Sequence, residues 1–172
     1  MNHLQNALEC ILFANGEPVK CEELAKVLQV APSLIEKEME SLIDHYENRG
    51  INIRKVNGGY QFCTNKQYYD SATKLIQGEK KVRLSAACLE TLSIIAYRQP
   101  ITRAEIEQVR GVRAESSLHT LLERGVICVR GRKNAPGKPM IYGTTDQFLI
   151  HFGLNEINEL PNYETIRKET LK

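Results

Sequence analysis

Two stretches of this chain repeat one another, and that limits what it can fold into. ILFANGEPVKCEELAKVLQV, starting at Ile11, aligns with SIIAYRQPITRAEIEQVRGV, starting at Ser93, at an offset of 82 residues. Pro18 matches Pro100, Val19 matches Ile101 and Glu23 matches Glu105. Leu24, Val27 and Val30 match Ile106, Val109 and Val112. Each copy then runs through an amphipathic segment to Arg-Gly, at Arg49-Gly50 and Arg124-Gly125, where the offset shrinks to 75. A β-rich stretch follows each, INIRKVNGGYQFCT and VICVRGRKNAPGKPMIYGTT. Self-similarity of this kind means one supersecondary unit used twice. In a chain of 172 residues each copy must close a small core of its own.

Each copy reads as helix, short helix, helix and hairpin. The first helix spans about Asn2–Ala14, with Leu4, Leu8 and Ile11 at a 3.6 period. The second starts near Cys21, and the third runs from Pro32, suited to a first turn, to about Asn48. Its expected apolar stripe is Leu34, Ile35, Met39, Leu42, Ile43 and Tyr46. Asn57-Gly58-Gly59 signals a hairpin turn, since these residues accept positive φ. In the second copy Ser85 can cap the first helix, and Thr102 with Glu105 forms a capping box for the second. Leu89, Leu92 and Ala96 are expected in the core from the first helix, and Leu118, Leu121 and Leu122 from the third. A short helix is expected at Asp146–Phe152, and another at Tyr69–Ile76, before the polar run Gln77-Gly78-Glu79-Lys80-Lys81.

Three helices followed by a β-hairpin wing make the winged-helix plan. The expected class is mostly α with small β wings, as two tandem winged-helix (helix-turn-helix plus β-hairpin) domains. The expected boundaries are 1–78 for the first domain with its linker, 79–153 for the second, and 154–172 for a tail.

Hydrophobic residues make up 42% and charged residues 26%, a folded rather than a disordered profile. No apolar run approaches the roughly 20 residues that span a bilayer. MNHLQNALECILFANG lacks a basic start and is interrupted by Glu9, so it makes a poor signal peptide, and the expected compartment is the cytoplasm. Cys10, Cys21, Cys63, Cys88 and Cys128 are irregularly spaced, with no C-x-x-C pair and no histidine at ligand spacing. They read as reduced thiols, with no metal or cofactor expected.

The most distinctive words are IIAYRQPITRAEIEQVRGV and the ending YGTT..FL..FGL. The region from Leu84 to Leu154 resembles the second winged-helix domain of the segregation and condensation protein B family, ScpB, and the N-terminal opening, an apolar helix followed by EPV, is similar to that family as well. The resemblance extends over about Met1 to Pro161. It implies a homodimer formed through the N-terminal winged-helix domains. It implies binding of the kleisin ScpA, which bridges the head domains of SMC ATPases, in an assembly that compacts and segregates bacterial chromosomes. The implied location is the cytoplasm, associated with the chromosome, and ATP hydrolysis would belong to the SMC partner.

Winged helices most often bind DNA through their third helix, so a tandem winged-helix transcription regulator is the alternative. Charge separates the two readings. Residues 1–78 carry a net of −2, residues 79–153 a net of +5, and the remainder −1. The third helix of the first copy holds Glu36, Glu38, Glu40, Asp44 and Glu47 against Lys37, which repels phosphates. The third helix of the second copy is nearly neutral, and its Ser116, Ser117, His119 and Thr120 offer none of the favoured base contacts. Arg130, Arg132, Lys133 and Lys138 in the second wing are candidates for weak, sequence-independent DNA contact; the plainer reading is a solvated hairpin tip.

Both first helices are apolar on more than one face, which calls for a second covering surface. Either each domain wraps its own helix, or a partner does. On the partner reading, helical geometry nominates Leu8, Leu12 and Phe13 for self-association, and Ile94, Tyr97, Arg98 and Arg113 for kleisin docking.

Catalytic motifs are missing. The segment Gly131 to Pro139 imitates a phosphate-binding loop, but five residues separate its glycines instead of four, and Pro139 stands where a hydroxyl should hold Mg²⁺. His3, His45, His119 and His151 are scattered, and Glu22-Glu23 and Glu36-x-Glu38 read as charged helix faces. No catalytic residue is assigned.

Overall fold

A computed structural model of the chain describes residues 1–76 and 84–162. The polar run 77–81, the boundary at 78/79 and the tail beyond Asn162 lie outside the described residues. The chain divides into two compact units, Met1–Lys81 and Val82–Lys172.

The first unit contains α1 (His3–Asn15), β1 (Val19–Lys20), α2 (Cys21–Leu28), α3 (Pro32–Tyr46), β2 (Ile51–Val56), β3 (Gly59–Thr64), a 3₁₀ turn at Lys66–Tyr68 and α4 (Tyr69–Ile76). α1 opens with a capping box: Gln5 N–H donates to Asn2 Oδ1 at 2.8 Å, and Asn2 N–H donates to Gln5 Oε1 at 2.9 Å. At the far end of α3, Asn52 Nδ2 donates to the carbonyls of Tyr46 and Glu47 at 3.0 and 2.9 Å, satisfying acceptors the helix leaves open. The hairpin turn is Asn57-Gly58, both at positive φ, which suits the twist of the flanking strands. Gly59 has a different task. It pairs with Lys20 across the sheet, and a Cβ there would lie 2.9 Å from the backbone of Val19. Leu8, Leu12, Leu24, Ile35, Met39 and Leu42 form a sealed core beneath the sheet. Burial of each such side chain stabilises the fold by about 1.5–3 kcal/mol. Leu34, expected in the α3 stripe, is 39% exposed, because it points away from the arc on which its neighbour Ile35 is fully buried.

The second unit repeats the plan with α5 (Ala86–Arg98), β4 (Ile101–Thr102), α6 (Arg103–Arg110), α7 (Glu115–Glu123), β5 (Ile127–Arg132), β6 (Met140–Thr144), α8 (Asp146–Phe152) and a 3₁₀ turn at Ile157–Glu159. Both sheets have the later hairpin strand in the middle, in the orders β1-β3-β2 and β4-β6-β5. Val19 pairs with Tyr60, and Ile101 pairs with Tyr142, so the offset of 82 seen in the repeat returns in the strand register. The fold is two winged helices.

Ser85 Oγ caps α5 by accepting from Cys88 N–H at 3.3 Å, and the expected box at Thr102 and Glu105 is formed. The α5 core stripe is Cys88, Thr91, Leu92, Ile95 and Ala96; Leu89, expected there, is 46% exposed. Leu118 and Leu121 of α7 are buried, whereas Leu122 is 37% exposed. In both helices the buried arc is turned by about one residue from the expected one, since a helical stripe fixes spacing but not which edge meets the sheet.

Candidate partner-binding surfaces

In the first unit the outer surface of α1 differs from the expected one. Leu8 and Leu12 are fully buried in their own core, so neither is available to a second copy. That corrects two of the three residues nominated for self-association. Phe13 is 78% exposed. It continues an exposed helical stripe through His3, Asn6 and Cys10. The acidic side chains of α3 are also outward: Glu36, Glu40, Asp44 and Glu47 are exposed beside Lys37. Glu38 instead accepts from Asn2 Nδ2 at 3.0 Å, tying α3 to the start of α1.

In the second unit the four residues nominated for docking do not form one patch. Ile94 is half-buried against the core. Tyr97 is 49% exposed, and its Oη donates to the carbonyl of Pro161 at 2.6 Å. Arg98 lines a cleft with Pro100, Glu105 and Val109. Arg113 lines a separate one with Glu115, Ser116 and His119 at the start of α7. The Arg113 carbonyl accepts from Arg110 Nη1 at 3.3 Å, and Arg110, only 5% exposed, also bonds Glu90 at 3.0 Å. That ion pair holds α6 against α5. Alongside it, Arg103 bonds Glu107 at 2.9 Å and Glu115 at 3.1 Å. The Ala114 N–H, and then Arg103, hold the Glu107 carboxyl below its ordinary range.

The basic wing is largely occupied by its own chain. Lys133 Nζ reaches Glu105 on α6, 2.5 Å away. Glu105 also accepts from Thr102 N–H at 2.8 Å, within the capping box. Lys133 first, and then Thr102, lower its pKa from the ordinary 4.5 to about 2. Arg132 Nη1 donates to the Lys138 carbonyl at 3.2 Å. Arg130 occupies a bulge, since Val129 pairs with Tyr142 while Gly131 pairs with Ile141. Its guanidinium reaches the Thr144 carbonyl. Lys138 itself sits at positive φ in the loop between the wing strands.

One feature escaped the sequence reading. Gln99 Oε1 accepts from Thr144 N–H at 2.7 Å, and Gln99 Nε2 donates to Thr144 Oγ1 at 3.0 Å. A Cβ on Gly143 would lie 2.8 Å from Gln99 Oε1 and 3.0 Å from Arg130 Cγ, so the glycine admits both side chains. These residues line a cleft of about 600 Å³ with Ile141 and Leu149. The words RQP and YGTT contained the signal, but their residues meet only across the fold. Among the described residues, no group of three or more His, Cys, Asp or Glu side chains is placed to hold a metal ion, and no helix is long and apolar enough to cross a membrane.

A family model described as "Segregation and condensation complex subunit ScpB" matches residues 6–163. Segregation and condensation protein B of Moorella thermoacetica is 46% identical over 167 residues, covering 96% of this chain and 85% of the relative. A crystal structure of ScpB from Mycobacterium tuberculosis is 31% identical, covering 88% of this chain and 95% of that one, with a TM-score of 0.42. A crystal structure of a dimer of the ScpB N-terminal domain complexed with an ScpA peptide is 27% identical, covering 41% of this chain and 91% of that one, with a TM-score of 0.40.

Proposed function

The chain belongs to the ScpB family of segregation and condensation complex subunits, and from that membership we propose a non-catalytic role in an SMC–ScpA–ScpB complex that condenses and partitions the chromosome. It acts there as a homodimer that grips the kleisin ScpA and modulates its engagement with SMC ATPase heads. Its place is the cytoplasm, on the chromosome. The reading rests most on α3, the helix a DNA-reading winged helix would insert into the major groove. Its exposed Glu36, Glu40, Asp44 and Glu47 oppose phosphate contact.

Self-association uses the outer stripe of α1, centred on Phe13. ScpA docks on the second unit around Ile94, Tyr97 and Arg98, with Arg113 as a further contact beside α7. Nucleic acid is a weak, unselective partner, engaged through the wing. The wing offers little more than that, because Lys133 and Arg130 already have partners within the chain.

Mass measurement at tens of micromolar tests the assembly. The intact chain should run as a dimer, and Phe13→Asp as a monomer that keeps its helical circular dichroism and a cooperative unfolding transition. Co-purification with ScpA should succeed, while DNA binding should be weak and fade with added salt. A monomeric wild-type chain would overturn the self-association, and tight sequence-specific DNA binding at physiological salt would favour a transcription regulator instead.

A further inference from the structure

The C-terminal end of α5 is met by a later segment of the chain itself. After α8 the backbone turns at Gly153 and runs on as Leu154–Pro161. Leu154 and Leu160 pack, half-buried, against the core of the second unit, and Tyr97 Oη holds the Pro161 carbonyl. Between these anchors stands the turn Ile157–Glu159. Ile157 lines the cleft of about 600 Å³ together with Gln99, Gly143 and Leu149. It also lines a second cleft of about 480 Å³ with Tyr97 and Leu160. Gln99 borders both. The two clefts adjoin at Gln99 and Ile157, so lifting the Ile157 turn would open them into one groove at the end of α5.

The segment is shaped for release. Glu156 to Glu159 are exposed, as are Pro161 and Asn162. Its turn is closed by short-range bonds: Glu159 N–H to the Glu156 carbonyl at 3.2 Å, Leu160 N–H to the Ile157 carbonyl at 3.2 Å, and Asn155 N–H to Glu159 Oε2 at 2.7 Å. Bonds of this kind travel with the segment when it lifts. A segment with partial apolar burial and local bonding opens far more readily than the domain unfolds. Its apolar residues recur at every third position, Leu154, Ile157 and Leu160. The groove thus displays the ligand pattern it accepts.

We propose that Leu154–Pro161 is a displaceable strap, a built-in occupant of the α5 groove whose place is taken by a partner's segment with apolar residues at the same spacing around a single turn. The inference rests on the reading that ScpA docks at Tyr97, since that residue is held by the strap. A partner that meets a mostly closed groove binds with its affinity reduced by the open fraction.

The test uses the full chain with Ile157→Ser and Leu160→Ser, which weakens the strap and leaves Tyr97, Gln99 and Gly143, the walls supplied by α5, its end and β6, unchanged. It is titrated with ScpA and with a synthetic peptide of the sequence from Gly153 to Asn162. The folded variant should bind the peptide, and the intact chain should not. ScpA should bind the variant about 3- to 10-fold more tightly than the intact chain, and the peptide should weaken that binding. A folded variant that ignores the peptide, or that binds ScpA no better than the intact chain, overturns the strap. If ScpA binds neither protein, the docking reading falls, and the peptide titration still decides the strap. Should the double variant fail to give a cooperative unfolding transition, Leu160→Ala alone serves in the same two titrations.

Discussion

The two winged helices share strand order and register, yet they differ in what surrounds that frame. The first unit has a third helix of 15 residues, a two-residue wing turn and an exposed acidic face. The second has a third helix of 9 residues, a bulged wing with a long loop, and basic side chains turned back onto its own backbone and α6. The segment that repeats best, β1–α2 against β4–α6, is the one that sets the sheet's third strand and the helix behind it. The lesson is that the turn from the short strand into the second helix holds the fold in common. The third helix and wing are free to diverge in length and charge.

That contrast can be broken first in the cores. Leu12→Ala in α1 should destabilise its unit by about 2–5 kcal/mol, since Leu12 is fully buried. Leu89→Ala at the apolar position of α5 should change stability by less than about 0.5 kcal/mol, because Leu89 is exposed. Urea denaturation followed by circular dichroism measures both, and a comparable loss in the two variants would contradict the burial assignment. The second contrast is between glycines on the two central strands. Gly59→Ala pushes into the Val19 backbone and should cost about 1–3 kcal/mol. Gly143→Ala meets the side chains of Gln99 and Arg130, which can move aside, so the smaller loss is expected there. Equal losses would mean that those side chains are held as firmly as backbone.

The smallest effect concerns the wing lock, which has no counterpart among the described residues of the first unit. The Glu105 pKa is lowered to about 2 in the folded chain by Lys133 and Thr102. A lowered folded-state value stabilises the fold above the ordinary 4.5 and loses that contribution as pH falls toward about 2. Both partners are partly exposed, so the effect is modest and screened by salt. Glu105→Gln should therefore flatten the acid side of the stability profile between those limits and leave the first unit's transition unchanged. A profile identical to wild type would show that the pair contributes nothing in solution.

Much of this fold is legible in the residues. The repeat gives the duplication, Thr102 with Glu105 gives a helix start, and Asn57-Gly58 gives a wing turn, because each is a local signal with a local cause. The surfaces are harder to read. Leu8 and Leu12 look like contact residues on a helical wheel, but a wheel cannot say which arc the sheet will cover. Phe13 survives as a candidate because its direction falls opposite the core. Tyr97 is exposed, and the segment that bonds it lies 64 residues further along the chain, a pairing no periodicity reports. Arg130 and Lys133 look free in sequence because their partners, Thr144 and Glu105, are brought to them only by the sheet.

β4 is two residues long and ends its pairing with β6 at Tyr142, so it leaves Thr144 without a strand beside it on that side. An unpaired strand edge is a template on which another chain can add itself. Here the carboxamide of Gln99 and the guanidinium of Arg130 occupy the Thr144 amide and carbonyl in the manner of a neighbouring backbone. A protein that works among other chains in a crowded assembly gains from this. This stretch of sheet is closed to any passing strand, because both backbone groups of Thr144 already have partners within the chain.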